Sequence, residues 1–163
     1  MILDYEISLA TPDDAQGMLA LQEVNLPDKG GSLSVRLTVD WFNDAILEKS
    51  AVVCRYDGKV VGYMMGTSLA ANAHIPIIQA MLCAFPRRPT VTGPVCVAES
   101  ERGKGLARAL FEELRARLPG RPAMLFVRAD NAASLRAHQK MGMHDLGTFT
   151  NDGVSYIALT YSG

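Results

Sequence analysis

A glycine-rich turn between an apolar strand and a helix carries the residues most able to do chemistry. The strand ends near Ala98, and Gly103 and Gly105 then open an amphipathic helix. Glycines in this place leave backbone N–H groups uncovered at a helix N-terminus, where the helix dipole favours anions. Arg102 and Lys104 add positive charge beside those donors. The segment therefore predicts a pyrophosphate-binding loop, against the alternative of a plain glycine-rich turn before a surface helix.

Two familiar phosphate motifs do not fit this turn. A P-loop needs glycine at position 98 and Ser or Thr after the Gly-Lys pair, where this sequence has Ala98 and Gly105. The dinucleotide fingerprint needs Gly or Ala where Arg108 stands, and it usually lies in the first strand–helix unit. The turn instead lies past the middle of the chain. The residues at positions 98 and 105 therefore exclude the P-loop, and Arg108 together with this position excludes the dinucleotide fingerprint.

The pattern that does fit is R-x-x-G-x-A, formed by Arg102, Gly105 and Ala107. Here the sequence resembles the GNAT superfamily of acyl-CoA-dependent N-acyltransferases, whose coenzyme-binding signature is Q/R-x-x-G-x-G/A. A second segment, from Asn131 to Met143, resembles that family's pattern N-x-x-A/S-x-x-x-Y-x-K-x-G-F. Since the element order agrees as well, the resemblance covers essentially the whole chain. It implies that acetyl-CoA is the co-substrate.

The resemblance also implies how the coenzyme is held. Strands 91–98 and 124–127 should splay apart and admit the pantetheine arm, which would pair with backbone groups of Val95 and Val97. Asn131 falls on the family's Asn, whose side chain commonly meets the coenzyme arm, and it is equally suited to cap the helix that follows. The pyrophosphate would be held by the amides of Arg102, Gly103, Lys104, Gly105, Leu106 and Ala107.

The chain departs from the family pattern at the residue that protonates the departing thiolate. The family usually has Tyr four residues before the helix-ending glycine, and here His138 stands at that distance from Gly142. The family's Phe after the glycine is replaced by Met143. Histidine can donate a proton near neutral pH, because its ordinary pKa is about 6.5. His138 is therefore the predicted general acid, and a locally bonded structural histidine is the alternative.

The general base is left open among three candidates. Glu99, at the end of the fourth strand, is the carboxylate nearest the motif, although solvated acids are common at such a position. His74 lies in an uncharged insertion, and a water relay to bulk solvent would leave no signature in the sequence. Cys96 lies inside an apolar strand without a partnered base, so direct attack of the amine on the thioester is expected rather than an acyl-enzyme.

The implied function is transfer of an acetyl group from acetyl-CoA to a primary amine of a small molecule or peptide. A non-catalytic acyl-CoA-binding or sensing module is the alternative, motivated by His138 in place of Tyr. Loops around a rigid scaffold usually carry specificity, so we expect the acceptor to be lined by residues 25–34, 75–85 and 148–154. A homodimer with a second copy of the chain is left open.

The sequence predicts alternating strands and helices that would position the candidate site residues. Polar–apolar alternation predicts a strand at 6–9, and Thr11, Pro12 and Asp14 have the features of a capped helix start. Asp57-Gly58 between two apolar runs predicts a hairpin. The order βααββ(α)βαβαββ predicts an α/β (α+β) fold with a mixed, mostly antiparallel sheet of six or seven strands and helices on both faces. The family resemblance adds a splay between the fourth and fifth strands.

Length and composition predict a single globular domain over residues 1–163. A net charge of −1 gives no reason to expect a nucleic acid or an anionic membrane as partner. The cysteines form no CxxC pair, so neither a metal site nor a disulfide framework is expected. The uncharged stretch 60–86 is long enough to span a bilayer, but polar residues interrupt its centre. Because the N-terminus lacks a secretory signal, a cytoplasmic location is expected.

Overall fold

The computed structural model describes residues 4–26, 36–68, 75–85, 90–117 and 123–161. Its elements follow the order that the sequence pattern predicts. The strands are β1 Tyr5–Leu9, β2 Ala51–Tyr56, β3 Lys59–Ser68, β4 Thr90–Val97, β5 Ala123–Arg128, β6 His144–Asn151 and β7 Val154–Tyr161. The helices are α1 Ala15–Glu23, α2 Val39–Leu47, α3 Pro76–Ala84, α4 Leu106–Arg117 and α5 Ala132–Lys140, with short 3-10 turns at Pro12–Asp14 and Glu99–Glu101.

The chain packs as two compact units that interleave along the sequence. Unit 1 contains Met1–Gly66 and Pro94–Leu118, and unit 2 contains Thr67–Gly93 and Pro119–Gly163. Strands β3 and β4 therefore each contribute residues to both units. Because neither unit is a continuous stretch of sequence, they are not two sequential domains, and the single domain over residues 1–163 stays a prediction.

Unit 1 is built on strands β1, β2 and β3, which pair antiparallel in that order, with the last residues of β4 next in line. The β2–β3 hairpin turns at Asp57 and Gly58, whose φ angles are +51° and +77°. Positive φ at both turn residues is the geometry that an Asp-Gly pair favours in a two-residue hairpin. The hairpin predicted from the sequence is therefore confirmed.

A β-bulge in β3 sets the position of the end of β4. Neighbouring residues of β2 pair with Val60 and Gly62 of β3, so Val61 is an extra residue in the ladder. The carbonyl of Val61 accepts a hydrogen bond from the Ala98 N–H at 2.8 Å. The bulged residue thus anchors the chain where β4 ends and the glycine-rich loop approaches.

Helices cover both faces of the strands in unit 1. Phe42 of α2 packs edge-on against Tyr63 of β3 with ring centroids 5.5 Å apart, in a buried cluster that also contains Met18 of α1. On the preceding residue of β3, a Cβ added to Gly62 would lie 3.2 Å from Leu110 Cδ1 of α4. Neighbouring strand residues point to opposite faces. Helices α1 and α2 therefore lie on one face and α4 on the other, as predicted.

An ion pair fixes the start of α1 to β2. The Asp14 carboxylate accepts the Thr11 N–H at 2.7 Å, as the helix-start pattern predicts, and two hydrogen bonds from Arg55 at 2.8 and 2.5 Å. Arg55 also donates to Glu6 and Ser8 of β1. Burial alone would raise the pKa of Asp14, but the hydrogen bonds from Arg55 and Thr11 outweigh it and hold that pKa below its ordinary value. The buried carboxylate is therefore fully partnered.

Unit 2 is built on strands β5, β7 and β6, which pair antiparallel in that order. Strand β4 pairs in parallel with β5 at Val91 and Met124. Helix α3 packs against β6, where a Cβ on Gly147 would lie 3.3 Å from the Phe85 ring. The predicted mixed, mostly antiparallel α/β fold is confirmed. The splay of β4 from β5 beyond the Val91–Met124 pair involves both units and stays a prediction.

Candidate functional site

The edge of β4 that faces away from β3 carries the backbone groups of Val95 and Val97. Ala98 donates its N–H to β3, at the Val61 carbonyl. Successive residues of a strand direct their N–H and C=O groups to opposite sides. Val95 and Val97 therefore turn their backbone groups to the other edge of β4. That orientation fits a coenzyme arm paired as a substitute strand, which stays a prediction.

The loop between β4 and α4 has the geometry of an anion cradle. Gly103 and Gly105 adopt φ angles of +78° and +82°, which side chains rarely tolerate. A Cβ at either glycine would meet nothing within 4 Å, so the backbone is open to an approaching ligand. Within the described part of the chain, no acceptor is seen for the amides from Gly103 to Arg108, and helical bonding begins with the Ala109 N–H to the Gly105 carbonyl. These groups fit a pyrophosphate.

Arg102, the first motif residue, is engaged within unit 1. Its backbone N–H donates to the Glu99 carbonyl at 3.3 Å. Its side-chain Nε–H donates to the Val97 carbonyl at 3.2 Å, and a terminal N–H donates to Asn25 Oδ1 at 2.5 Å. Arg102 therefore joins the end of β4 to the end of α1. A contact of Arg102 with the coenzyme stays a prediction.

Lys104 is held by a small polar cluster beside the loop. Its ammonium donates to Glu101 Oε2 at 2.9 Å and to the Tyr5 hydroxyl at 3.2 Å. The Tyr5 hydroxyl in turn donates to the same Glu101 carboxylate. These hydrogen bonds, the one to Glu101 first, raise the pKa of Lys104 above its ordinary value. Lys104 therefore stays charged next to the open amides.

Glu99, the predicted base nearest the motif, lies exposed in the 3-10 turn after β4. In the described ranges, no hydrogen bond or ion pair of its carboxylate is seen, so the group is solvated. Its role as base stays a prediction. His74 lies outside the described residues, and so does most of the predicted acceptor loop, residues 27–34.

Asn131 caps helix α5. Its side-chain oxygen accepts the Ser134 N–H at 3.1 Å, and its own N–H donates to the Arg128 carbonyl at 2.9 Å. The capping role predicted from the sequence is confirmed. The cap uses the side-chain oxygen, and a contact of its NH₂ group with the coenzyme stays a prediction.

His138 is buried in α5, with only 3% of its surface exposed. Its Nδ1 lies 2.7 Å from the Ser134 carbonyl oxygen and 3.3 Å from the Ser134 hydroxyl. A carbonyl oxygen can only accept a hydrogen bond, so Nδ1 carries the proton. The other ring nitrogen, Nε2, is buried and has no hydrogen-bond partner among the described residues.

This tautomer limits what His138 can do. Burial lowers the pKa of the ring below its ordinary value of 6.5, although the hydrogen bond to Ser134 acts in the opposite direction. The neutral ring is therefore the main form at neutral pH, and its Nε2 holds a lone pair. His138 can donate a proton from Nε2 only as the cation, and only after the side chain becomes accessible.

Cys96 lies on the inner side of β4 and is 5% exposed. Burial raises the pKa of its thiol to about 12. The thiolate, not the thiol, is the reactive nucleophile. Cys96 therefore has the character of an inert core residue, as the sequence predicts.

Metal ligation and membrane insertion have no candidate in the described ranges. There, no group of three His, Cys, Asp or Glu side chains converges where a metal ion could bind. None of the helices described combines the length and the apolar character that crossing a membrane requires.

Two positioning contacts of the loop escape sequence analysis. Asn25 meets Arg102 across 77 residues of chain, and Tyr5 reaches Glu101 from the first strand. No spacing rule connects such distant positions. The C-terminal position of Asn25 after an amphipathic helix was the only available signal, and it indicates a helix end rather than a contact with the loop.

Solved structures resemble this one over nearly the whole chain. An acetyltransferase of the GNAT family from Streptococcus agalactiae 2603 is 19% identical with a TM-score of 0.73, and the match covers 100% of this chain and 98% of that chain. The ribosomal-protein-alanine N-acetyltransferase from Brucella melitensis is 22% identical with a TM-score of 0.69, covering 97% and 99%. The Salmonella typhimurium protein yncA, solved with its cofactor acetyl-CoA, is 17% identical with a TM-score of 0.71, covering 97% and 93%. At these identities the likeness establishes the fold alone, an acetyltransferase-type α/β fold.

The sequence itself then gives the family. The model of the Acetyltransferase (GNAT) family matches residues 18–143, well over half of the chain. The chain therefore belongs to the GNAT acetyltransferase family, and the family resemblance carried by the two motifs is confirmed. No curated protein sequence is significantly similar to the chain.

Proposed function

We propose that the protein transfers the acetyl group of acetyl-CoA to a primary amine of a small molecule or peptide. The observation that carries this proposal is the loop at Gly103 and Gly105, where positive φ angles and amides without described acceptors form an open anion cradle. Membership in the GNAT acetyltransferase family supports the same assignment. We propose a cytoplasmic location as well.

The reaction is a direct acyl transfer. The neutral amine nitrogen attacks the thioester carbonyl carbon, a C–N bond forms, and the C–S bond breaks. The amine loses one proton, and the departing thiolate gains one. The thioester supplies the activated acetyl group, and much of the acceleration comes from holding the two reactants together.

The residues of this chain take separate parts in that reaction. The backbone of Val95 and Val97 would align the coenzyme arm, and the amides of the loop would hold its pyrophosphate. Glu99 would remove the amine proton, directly or through water, since its carboxylate is exposed and solvated. The cationic form of His138 would donate a proton to the sulfur of the departing thiolate. Asn131 would contact the arm while capping α5.

Direct attack is favoured over an acyl-enzyme by the state of Cys96. A thiol with a pKa raised to about 12 by burial forms almost no thiolate at neutral pH. Cys96 is also closed off from solvent, at 5% exposure. A covalent route through this residue has neither the charge state nor the access that it needs.

The experiment that tests the proposal is a screen of amines with acetyl-CoA, with release of free coenzyme A measured by chromatography. The library should include peptides that begin with alanine, because the Brucella melitensis neighbour is named a ribosomal-protein-alanine N-acetyltransferase. Release that depends on one amine, and that is lost in Gly105→Val, supports the proposal. Binding of acetyl-CoA without formation of free coenzyme A for any amine contradicts the proposal.

The alternative is a non-catalytic acyl-CoA-binding or sensing module. It is favoured by one observation: the ring of His138 stands in the position of the family's proton donor, yet its Nε2 is buried and carries no proton when neutral. The amine screen separates the two functions, because a sensor would bind acetyl-CoA tightly and form no free coenzyme A with any amine.

A further inference from the structure

The first residue of the coenzyme motif is tied to a helix far from it in sequence. Arg102 donates through Nε to the Val97 carbonyl at 3.2 Å and through a terminal nitrogen to Asn25 Oδ1 at 2.5 Å. The guanidinium is planar and its N–H groups form a rigid fork. Two bonds to fixed acceptors therefore set the orientation of the whole side chain.

Asn25 is itself held firmly. It is buried, with 4% of its surface exposed. Its Nδ2 donates to the Leu21 carbonyl at 2.9 Å, and its backbone N–H donates to the Gln22 carbonyl at 3.0 Å. The oxygen that receives Arg102 thus belongs to the capped C-terminal end of α1, where the helix dipole favours a cation.

The loop needs such an anchor because its glycines supply no restraint. Gly103 and Gly105 have no side chains that could hold the chain at positive φ. At the far side, α4 takes over with the Ala109 N–H bonded to the Gly105 carbonyl. At the near side, Arg102 precedes Gly103 directly, and its side chain is directed to the Val97 carbonyl and Asn25.

We propose that Asn25 is a positioning residue for coenzyme binding, and that Arg102 serves the coenzyme by fixing the loop between Asn25 and Val97 rather than by ion pairing with the pyrophosphate. The inference rests on the proposed function. It places the determinant of the loop geometry on α1, outside both family motifs.

The test is a double-mutant cycle read by calorimetric titration with coenzyme A. Asn25→Leu removes the acceptor and Arg102→Lys keeps the charge but loses the fork. Each is expected to weaken binding about tenfold, in line with loss of a hydrogen bond to a charged group. The double variant is expected to be no weaker than either single variant, because both changes break the same link. Asn25→Asp keeps an acceptor for Arg102 but loses the donor to the Leu21 carbonyl, so it is expected to bind more tightly than Asn25→Leu and more weakly than the wild type.

Controls separate this inference from its alternatives. Arg117→Lys makes the same exchange at the far end of α4 and should leave affinity unchanged. Direct pairing with the pyrophosphate predicts that Arg102→Lys binds nearly normally, and that Arg102→Met lowers the dependence of log Kd on log salt concentration. Either result, or wild-type affinity in Asn25→Leu, overturns the inference.

Misfolding of a variant and failure of the wild type to bind coenzyme A each have a defined meaning. If Asn25→Leu does not fold, as judged by circular dichroism, Arg102→Lys and the salt series decide alone, since neither removes a buried group. If the wild-type protein does not bind coenzyme A at all, the proposed function fails, which is distinct from normal wild-type binding with unaffected variants.

Discussion

The proposed coenzyme loop, Arg102–Gly105, and the region around His138 differ in which part of a residue is available for chemistry: the backbone in the loop and a side chain at His138. From Arg102 to Gly105 the loop is exposed, and its binding groups are backbone amides without a described acceptor. His138 is 3% exposed, and its side-chain Nε2 has no hydrogen-bond partner among the described residues. In the loop the side chains of Arg102 and Lys104 are partnered and the backbone is available. At His138 the backbone carbonyl accepts hydrogen bonds from Met141 and Met143, and it is the side-chain Nε2 that has no described partner.

The difference shows that a backbone binding site and a side-chain catalytic site depend on different properties of the structure. A site made of backbone amides depends on φ angles, which only a few residue types permit, so the residues reveal it. A site made of one ionisable side chain depends on access and protonation, which its surroundings set. A histidine in the sequence can therefore be a proton donor in one structure and a buried neutral ring in another. Four predictions test this contrast, in order of expected effect.

The largest effect is expected for His138→Phe, which keeps ring volume and removes the donor. If the histidine protonates the thiolate, kcat should fall about 10²-fold with little change in affinity for acetyl-CoA. Because only the cation can donate from Nε2, the wild-type rate should decline as the pH rises through the lowered pKa, below 6.5. His138→Tyr should restore part of the rate and postpone the decline, since the ordinary pKa of Tyr is about 10.

The matched control is His144→Phe, which removes an exposed histidine from β6 of the same unit. It should leave kcat unchanged. A wild-type rate in His138→Phe would make His138 a structural residue and assign protonation of the sulfur to solvent.

Gly105→Val should weaken acetyl-CoA binding at least tenfold, about 1.4 kcal/mol. The side chain would occupy the open space over the amides, and Val is strained at a φ of +82°. Gly58→Val in the β2–β3 turn is the matched control, because its φ is +77° and the space at its Cβ is equally open. Both variants should lose similar stability, and only the loop variant should lose affinity by calorimetry. Equal dissociation constants in folded protein would refute the placement of the coenzyme.

The buried ring should also make stability depend on pH. Because the folded-state pKa of His138 lies below its ordinary value of 6.5, the unfolded chain binds a proton that the folded chain resists. The free energy of unfolding should therefore be highest above pH 6.5 and fall as the pH drops through that value toward the folded-state pKa. The slope from one group is at most about 1.4 kcal/mol per pH unit. Urea titrations should show this decline flattened in His138→Phe and retained in His144→Phe.

The smallest effect is expected for Cys96→Ala. A buried thiol with a pKa of about 12 is not a nucleophile at neutral pH, so turnover should stay close to the wild-type rate. Loss of turnover with acetyl-CoA binding intact would instead require a covalent route. Steady-state kinetics on the folded variant distinguish the two.

Features set by adjacent residues are the ones that the sequence predicts well. The Asp57-Gly58 hairpin and the Asn131 cap each follow from local backbone preferences, and each is found. The helix positions follow from apolar periodicity for the same reason.

Contacts that depend on packing between distant segments are not predictable in this way. The bond from Arg102 to Asn25 spans 77 residues and exists only because α1 ends close to the end of β4. The burial of His138 Nε2 likewise depends on what surrounds α5, and nothing in its neighbouring sequence letters encodes that. Sequence therefore suffices to propose the site residues, while the tautomer and burial of His138 and the bond between Arg102 and Asn25 appear only in the structure.

The extra residue in β3 makes the length of that strand matter to its neighbour. Val61 has no partner in β2, and its carbonyl holds the Ala98 N–H just before the coenzyme loop. Deleting one residue here would leave β2 and β3 in a regular ladder with each remaining side chain on its present face. The hairpin would tolerate the deletion, but the hydrogen bond between the Val61 carbonyl and the Ala98 N–H at the end of β4 would be lost. A one-residue gap at this point in an aligned relative or a designed variant is thus a sign of a differently set coenzyme loop, although the gap itself lies one strand earlier.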